Sequence, residues 1–448
     1  MNDILNKEII NGELSMVNEE SNSQFTTHNS QFKKTEVGVI PEDWEVVEFG
    51  DICLLSKTRM NPIISDEYKC IELEHISQQT GRLLGHTNSK YLKSQKTKFN
   101  KGDVLFGKLR PYLRKFLFAN FEGVCTTEIW VLKPNNDFNN KWLFYLVQSK
   151  WIDEKANLSE GTKMPRADWE TVSSTKIPIP PTKAEQTAIA TALSDMDALI
   201  EKLEQLIAKK RNIKQGAMSE LLNGEKRMVN GELSIMNEKN NSQFTTHNSS
   251  LLKKGWVEKS LGDIAEIRDG THQTPKYVKQ GIPFYSVENV TADDFINVKM
   301  ISPEEHTFLT KNWKIERGDI LMTRIGSIGV CKHIDWDINA SFYVSLALLK
   351  IKKDYSAKFI TQYSQYKYFK ENIILNSLQF AYPQKINLGE IHKVKLIIPE
   401  SLEEQTRIAQ ILSDMDSEIE KLETQLSKYK MIKTGMMQEL LTGKKRLI

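Results

Sequence analysis

The first question for this 448-residue chain is which side chains stand at spacings that do covalent chemistry. No glycine-rich loop of the GxxxxGK[ST] type occurs, which excludes a P-loop ATPase, and Gly81-Arg-Leu-Leu-Gly-His-Thr87 has the wrong spacing for one. No GxGxxG occurs either. Asn61-Pro62-Ile63-Ile64 falls short of the Asn/Asp-Pro-Pro-aromatic string an amino-methyltransferase needs. Glu67 and Lys69 form a Glu-x-Lys fragment without the upstream Pro-Asp of a metal-dependent nuclease. The eight histidines make no HExxH or comparable ligand spacing, so no metal site is expected. Cys53, Cys70, Cys125 and Cys331 include no CxxC pair, which predicts buried, inert thiols in a reducing cytoplasm. The chain reads as non-catalytic.

Other residues are suited to contact rather than catalysis. Leu105-Phe-Gly-Lys-Leu-Arg-Pro-Tyr-Leu-Arg-Lys115 alternates basic with apolar residues, as a strand with one exposed face would, and Asp269-Gly-Thr-His-Gln-Thr274 is a wholly polar loop. A net charge of +3 decides nothing alone, so any nucleic-acid binding must come from local clusters or a more basic partner. No apolar run approaches a membrane span, and no secretory signal is visible at the N-terminus.

The elements that must position these residues are doubled. Glu185–Arg227 aligns without a gap on Glu404–Arg446, 219 positions later, with 26 identities in 43 pairs. At the same offset Asn11–Ser30 matches Asn230–Ser249 with 16 identities in 20. The period is domain-sized, far beyond a solenoid repeat. Two globular modules are predicted, opening at Ile40–Ile52 and Gly255–Ile264, each with a Trp before an alternating stretch ending in Gly-Asp-Ile. Short β-branched and aromatic runs follow, at Lys101–Leu113, Glu128–Pro134, Gly281–Val290, Arg317–Gly326 and Phe342–Ile351, and read as strands. Helices are expected near Lys141–Lys155 and Lys358–Asn372. The modules share a skeleton: GDVLFGKLR at Gly102 answers GDILMTRIG at Gly318, MPRADW at Met164 answers YPQKIN at Tyr382, and IPIPP at Ile177 answers LIIPE at Leu396. One frame with different filling is what two readers of two targets would look like. The polar repeats cannot offset ordering entropy and read as flexible.

Each module ends in a long helix. Thr182-Lys-Ala-Glu185 and Ser401-Leu-Glu-Glu404 are capping boxes just after a proline. Apolar residues follow at Ile189, Leu193, Met196, Ile200, Leu203 and Ile207, and in the second copy at Ile408, Leu412, Met415, Ile419, Leu422 and Leu426. Alternation by four and three is a coiled-coil seam, and two matching seams predict that the helices pair. The seam weakens at Lys210 and Lys214 and resumes at Ala217 and Leu221. Lys209, Lys210, Arg211 and Lys214 are placed late, where cations suit the helix dipole. Two antiparallel helices of about 40 residues would make a rod of about 60 Å, with a module at either end.

The Trp-x-x-x-x-[LF]-Gly-Asp-Ile opening, the GD[VI]L strand, the Ile-Pro exit (IP-x-P in the first module, LIIPE in the second) and the Glu-Gln helix with LSDMD resemble, in their doubled order, the specificity (S) subunit of Type I restriction–modification systems. The resemblance covers the chain outside the polar repeats; the insert after the first helix departs from it. It implies an α+β, pseudo-twofold fold: two strand-rich target recognition domains joined by an antiparallel coiled coil. The expected divisions are a flexible segment 1–38, recognition domain 39–180, spacer helix 181–224, flexible linker 225–253, recognition domain 254–399 and spacer helix 400–443. The implied function is phage defence, with each domain reading half of a bipartite target on double-stranded DNA. The resemblance also implies that the helices set the spacing and dock methyltransferase (M) subunits, two in number, with restriction (R) subunits joining. S-adenosylmethionine, ATP and Mg would belong to those partners and no cofactor to this chain.

Base readout uses Arg or Lys on guanine and Asn or Gln on adenine. The candidate contacts are Lys108, Arg110, Lys115, Lys163 and Arg166 in module one, and Thr271, His272, Gln273, Thr274, Arg324, Ser327, Gln384 and Lys385 in module two. Glu185, Gln186, Glu404 and Gln405 are candidates for M-subunit docking, with first-turn capping and packing as the alternative. Two other functions remain: a non-DNA coiled-coil scaffold, which would lack salt-dependent DNA affinity, and an S-like subunit of a system whose methyltransferase and nuclease are fused.

Overall fold

The computed structural model describes residues 31–61, 67–158, 164–225, 252–311 and 313–447. Both polar repeats lie outside the described residues. Two compact units result: residues up to Glu204 together with those from Thr424 onward, and Gln205–Glu423.

In the first unit, module one is built on a four-stranded antiparallel sheet. Its order is Phe116–Phe118, Val104–Gly107, Ile129–Pro134, Cys53–Leu55. In the second unit, module two repeats that order with Cys331–His333, Ile320–Thr323, Leu346–Ile351 and Ala265–Asp269. The expected frame is present twice.

The sheet is a wall between two cores, which explains its unbroken apolar strands. Side chains alternate faces along a strand. Val104 and Phe106 enter one cluster with Trp44, Trp142 and Ile177, while Leu105 enters another with Ile71 and Phe99. Module two divides alike: Ile320 and Met322 face Phe359 and Tyr363, and Leu321 faces Tyr285 and Val290. Beyond the second core lies a further sheet with one parallel pair, Lys69–Ile71 beside Gly123–Thr126 or Ile282–Tyr285 beside Ser341–Phe342.

The Trp-led openings are strands, Glu45–Glu48 and Trp256–Ser260, paired with the module exits Lys176–Ile179 and Lys395–Pro399. Gly-Asp-Ile then forms a helical turn whose Asp51 or Asp263 carboxylate accepts the N–H of residue 48 or 260. Burial pushes the Cys70 thiol up to about 11, and Cys53 and Cys125 are buried and raised by the same cause.

Several expectations need correction. Residues 32–38 are not flexible, because Phe32–Thr35 pairs antiparallel with Gly38–Pro41. The strand run at Gly281–Val290 ends at Tyr285 and turns into the helix Val287–Ala292, as Asn289 accepts the Ser286 N–H at 2.8 Å. Each module helix is a broken pair, Asn140–Leu146 with Lys150–Ala156, and Ala357–Tyr363 with Lys367–Leu375.

The long helices are Lys183–Leu221 and Leu402–Leu440, 39 residues each. Half of each expected capping box is present: Thr182 and Ser401 hydroxyls accept the N–H of Glu185 and Glu404, while the Glu185 carboxylate accepts from Arg446. Ile189 and Leu193 sink into the module-one core with Leu440, at the end of the other helix, and Leu441 just beyond it; Ile408 and Leu412 sink into the module-two core with Met218 and Leu222. Ile200, Leu203, Ile207 and Ile419 are buried, and Met196, Met415, Leu422 and Leu426 half-buried. Where the seam resumes, Met218 and Leu222 are the fully buried pair, one residue beyond the predicted Ala217 and Leu221.

Within each unit the two helices run antiparallel, held by ion pairs that repeat. In the first unit Lys433 meets Asp197 at 2.6 Å and Lys430 meets Glu204 at 2.8 Å. In the second, Lys214 meets Asp416 and Arg211 meets Glu423, each at 2.5 Å. Every one of these residues lies 219 positions from its counterpart. Lys210 adds a bond to Glu418 at 2.6 Å. These cations therefore serve acids of the other helix rather than the dipole, whose influence ends within the last turn. Lys214 and Lys433 interrupt the apolar seam because each is needed there as a partner.

Candidate nucleic-acid interface

In module one the strand Val104–Gly107 leaves the sheet at Lys108. The chain passes through a single turn, Pro111–Leu113, and returns at Phe116. Arg110 and Arg114 flank that turn with left-handed φ of 53° and 49°. That conformation costs an L-residue about 1–2 kcal/mol, and the site holds it. Arg114 donates to the Gln148 carbonyl at 2.8 Å and pairs with Asp153. A second segment lies antiparallel beside the exit, with Leu109 bridged to Arg166. Arg110 N donates to Pro165 O and Ala167 N to Lys108 O, both at 2.8 Å.

Module two builds the same bridge between Ile325 and Lys385. Gly326 N donates to Gln384 O at 2.8 Å and Ile386 N to Arg324 O at 3.0 Å. The matching pairs show that Arg166 answers Lys385 and Asp168 answers Asn387. The register of MPRADW on YPQKIN is therefore corrected by one residue, to the 219 offset of the helices. Asp168 and Asn387 stand just before equivalent short helices, Trp169–Ser173 and Leu388–Ile391.

The candidate contacts divide by exposure. Arg110 and Arg166 are exposed, Lys108 half-buried, and Arg166 is paired with Glu128 at 3.0 Å. Lys115 is half-buried, its ammonium donating to the Leu73 carbonyl at 2.5 Å, so it is a strut rather than an open cation. Lys163 lies outside the described residues. In module two His272, Gln273, Thr274, Ser327 and Gln384 are exposed, and Thr271 and Lys385 half-buried. Arg324 is a correction: it is 4% exposed and ion-paired to Asp269. Asp269 also bonds His272 Nε2 at 2.8 Å. The buried pair thus ties the polar loop to the strand exit, bringing His272 beside the bridge that carries Gln384 and Lys385. Asp269, read from the sequence as part of the polar loop, is the partner of Arg324, and Glu128, read only as the start of a strand run, is the partner of Arg166; only three-dimensional pairing shows either role.

The docking candidates also change role. Glu185 is 3% exposed and held by Arg446 at 2.7 and 2.8 Å. Gln186 and Gln405 are buried, and each accepts the backbone N–H just before a module helix, from Asn139 at 2.8 Å and Ser356 at 2.9 Å. Gln405 also donates to Pro399 O at 2.8 Å. The repeated glutamine is thus an internal clasp between long helix and module, Glu185 is tied to Arg446 instead, and all three are packed inside the unit as the alternative reading expected. Glu404 alone is half-exposed.

Among the described residues no group of three or more His, Cys, Asp or Glu could hold a metal ion, and no helix is long and apolar enough to cross a membrane.

The chain is similar to the Type I restriction enzyme MjaVIII specificity subunit of Methanocaldococcus jannaschii, at 25% identity over 422 residues, covering 91% of this chain and 94% of the relative. It is similar to the EcoBI specificity subunit of Escherichia coli at 23% over 342 residues, 69% of each chain. Among solved structures, the S subunit of a Type I restriction–modification system from M. genitalium shares the fold at a TM-score of 0.56 and 16% identity, covering 89% of this chain and 96% of that one. A chain from a Type I assembly studied for complex formation and conformational transition aligns at a TM-score of 0.53 and 19% identity, covering 90% and 99%. The Type I restriction modification DNA specificity domain matches twice, at residues 41–210 and 253–428, so this chain belongs to that family and is a DNA specificity subunit with two recognition domains.

Proposed function

We propose that each module reads one half of a bipartite target on double-stranded DNA, and that the 39-residue helices set the unread gap between the halves. The observation that carries this reading is the bridge at the strand exit, present in both modules with different side chains around it: Leu109 with Arg166, and Ile325 with Lys385. One frame offering two sets of donors suits two different half-sites. Arg110, Arg166, Gln384, Lys385 and the Thr271–Thr274 loop are the contacts to bases and phosphates, with Lys108 and Ser327 beside them. Arg324 is a positioning residue that acts through Asp269 and His272. Lys163 remains a proposed DNA contact.

The doubled helices offer the same surface twice, which fits two methyltransferase subunits, with restriction subunits joining the assembly. S-adenosylmethionine, ATP and Mg serve those partners. This chain carries no catalytic group of its own and works in the cytoplasm, where host DNA is.

The test is co-expression with the methyltransferase partner, followed by single-molecule sequencing of methylated adenines. A split motif with a constant gap is the expected result. New methylation at one continuous motif, or a complex whose DNA affinity ignores salt, would overturn it, because phosphate contacts must show counterion release.

A further inference from the structure

Two side chains of module two stand wholly bare. Phe380 and Tyr382 are 102% and 101% exposed. Burying such a ring is worth about 1.5–3 kcal/mol, so leaving two in water two residues apart calls for a reason. Their segment is pinned. Leu378 N donates to Lys385 O at 2.8 Å, Ala381 N to Leu378 O at 3.2 Å, and Gly326 N to Gln384 O at 2.8 Å. The rings therefore project from the base of the bridge between Ile325 and Lys385.

Module one does the same by another route. Tyr112, 54% exposed, is the middle of the turn held between the two left-handed arginines, and Met164, 50% exposed, precedes the Pro165–Ala167 segment. Exposed apolar side chains thus flank the equivalent bridge in both modules, delivered by different segments. Their surroundings are polar: exposed Gln384 with Lys385 in one case, exposed Arg110 and Arg166 in the other. A purely apolar protein face would leave those amides and cations unsatisfied. The major groove of DNA offers apolar thymine methyls and base edges beside acceptors and phosphates, which matches the mixture.

We propose that Phe380 and Tyr382 in module two, and Tyr112 in module one, are specificity-determining residues that pack on base edges within their own module's half-site. The inference rests on the DNA-reading function above and adds an apolar part to the readout. The two modules then differ in base preference through which ring is presented and from which side, as well as through hydrogen bonding.

The test uses the full chain purified with its methyltransferase partner. Phe380→Ala/Tyr382→Ala and, separately, Tyr112→Ala are compared with wild type on duplexes in which each position of both half-sites is varied in turn. Phe380→Ala/Tyr382→Ala should weaken cognate binding about tenfold and flatten base preference in one half-site only. Tyr112→Ala should do so in the other, and affinity for unrelated DNA should stay within about twofold. Unchanged base profiles, or equal losses on cognate and unrelated DNA, would overturn the proposal. If wild type itself shows no preference at any position, the DNA-reading function fails instead. Because the rings are exposed, circular dichroism and recovery of the complex should match wild type, and a variant that fails this control is replaced by Phe380→Leu, Tyr382→Leu or Tyr112→Leu.

Discussion

At the scale of single residues, the buried pairs decide what the exposed ones can do. Arg324 is 5% exposed at its side chain and faces Asp269, which in turn orients His272. Removing one partner of such a pair leaves a buried charge uncompensated, at about 3–5 kcal/mol. Arg324→Ala should therefore destabilise the second unit by about 3 kcal/mol in urea unfolding and lower DNA affinity. Lys385→Ala should leave stability within about 0.5 kcal/mol while weakening DNA binding. If both variants lose affinity only in proportion to stability, Arg324 has no role in positioning the loop. The two glutamines clasp their module helices through uncharged hydrogen bonds. Gln405→Ala orphans the Ser356 N–H, and an unsatisfied buried donor costs about 1–3 kcal/mol. Gln186→Ala should cost a similar amount through Asn139. Loss of methyltransferase co-purification from either variant at unchanged stability would restore them as docking residues.

At the scale of elements, the long helices are joined by a polar code written twice. Lys214 and Lys433, paired with Asp416 and Asp197, sit where an uninterrupted heptad would place apolar residues. Each aspartate has a further partner, Gln362 Nε2 at 2.9 Å or the Tyr145 hydroxyl at 2.9 Å. Residues in one hydrogen-bonded network couple by about 0.5–3 kcal/mol. Double-mutant cycles to alanine should return a favourable coupling for both pairs, and a value near zero for either would deny that pair a role in register. Charge should also tell through pH. Burial would raise the Glu204 carboxyl, but hydrogen bonds from Lys430 and Arg82 outweigh it and hold the group below its ordinary 4.5. A carboxylate depressed on folding stabilises above its unfolded pKa, and that contribution is lost as pH falls through the folded value. Wild type should therefore lose more stability than Glu204→Gln on acidification below about pH 4.5, measured by thermal melts across that range. Identical acid profiles would contradict it.

At the scale of the whole molecule, the proposed spacer function ties helix length to the DNA target. A heptad added to both helices, after Glu204 and after Glu423, keeps the seam in phase and adds about 10 Å at 1.5 Å per residue. With roughly 34 Å per 10 bp turn, the unread gap of the methylated motif should widen by about 3 bp while both half-sites stay the same. Sequencing of methylated adenines reads this directly, and an unchanged gap would sink the spacer function of the helices.

Periodicity and punctuation are local, so the chain alone determined whatever depends on them. The doubled modules, the helix starts at Thr182 and Ser401, the apolar seam and the strands around Val104 and Ile320 all follow from side chains near in sequence. The module-one strand exit was legible as a candidate contact site because basic and apolar residues alternate there, and the module-two exit by its correspondence in sequence. Pairing across the fold was not legible. Whether a cation meets water, a carbonyl or a carboxylate depends on what long-range packing sets beside it. Only the tertiary structure withdrew Arg324 and Lys115 from solvent, turned Gln186 and Gln405 inward, moved Arg166 into register with Lys385, and left Phe380 and Tyr382 bare. A side chain's type states which bonds it can make, and burial decides which of them it must make at home.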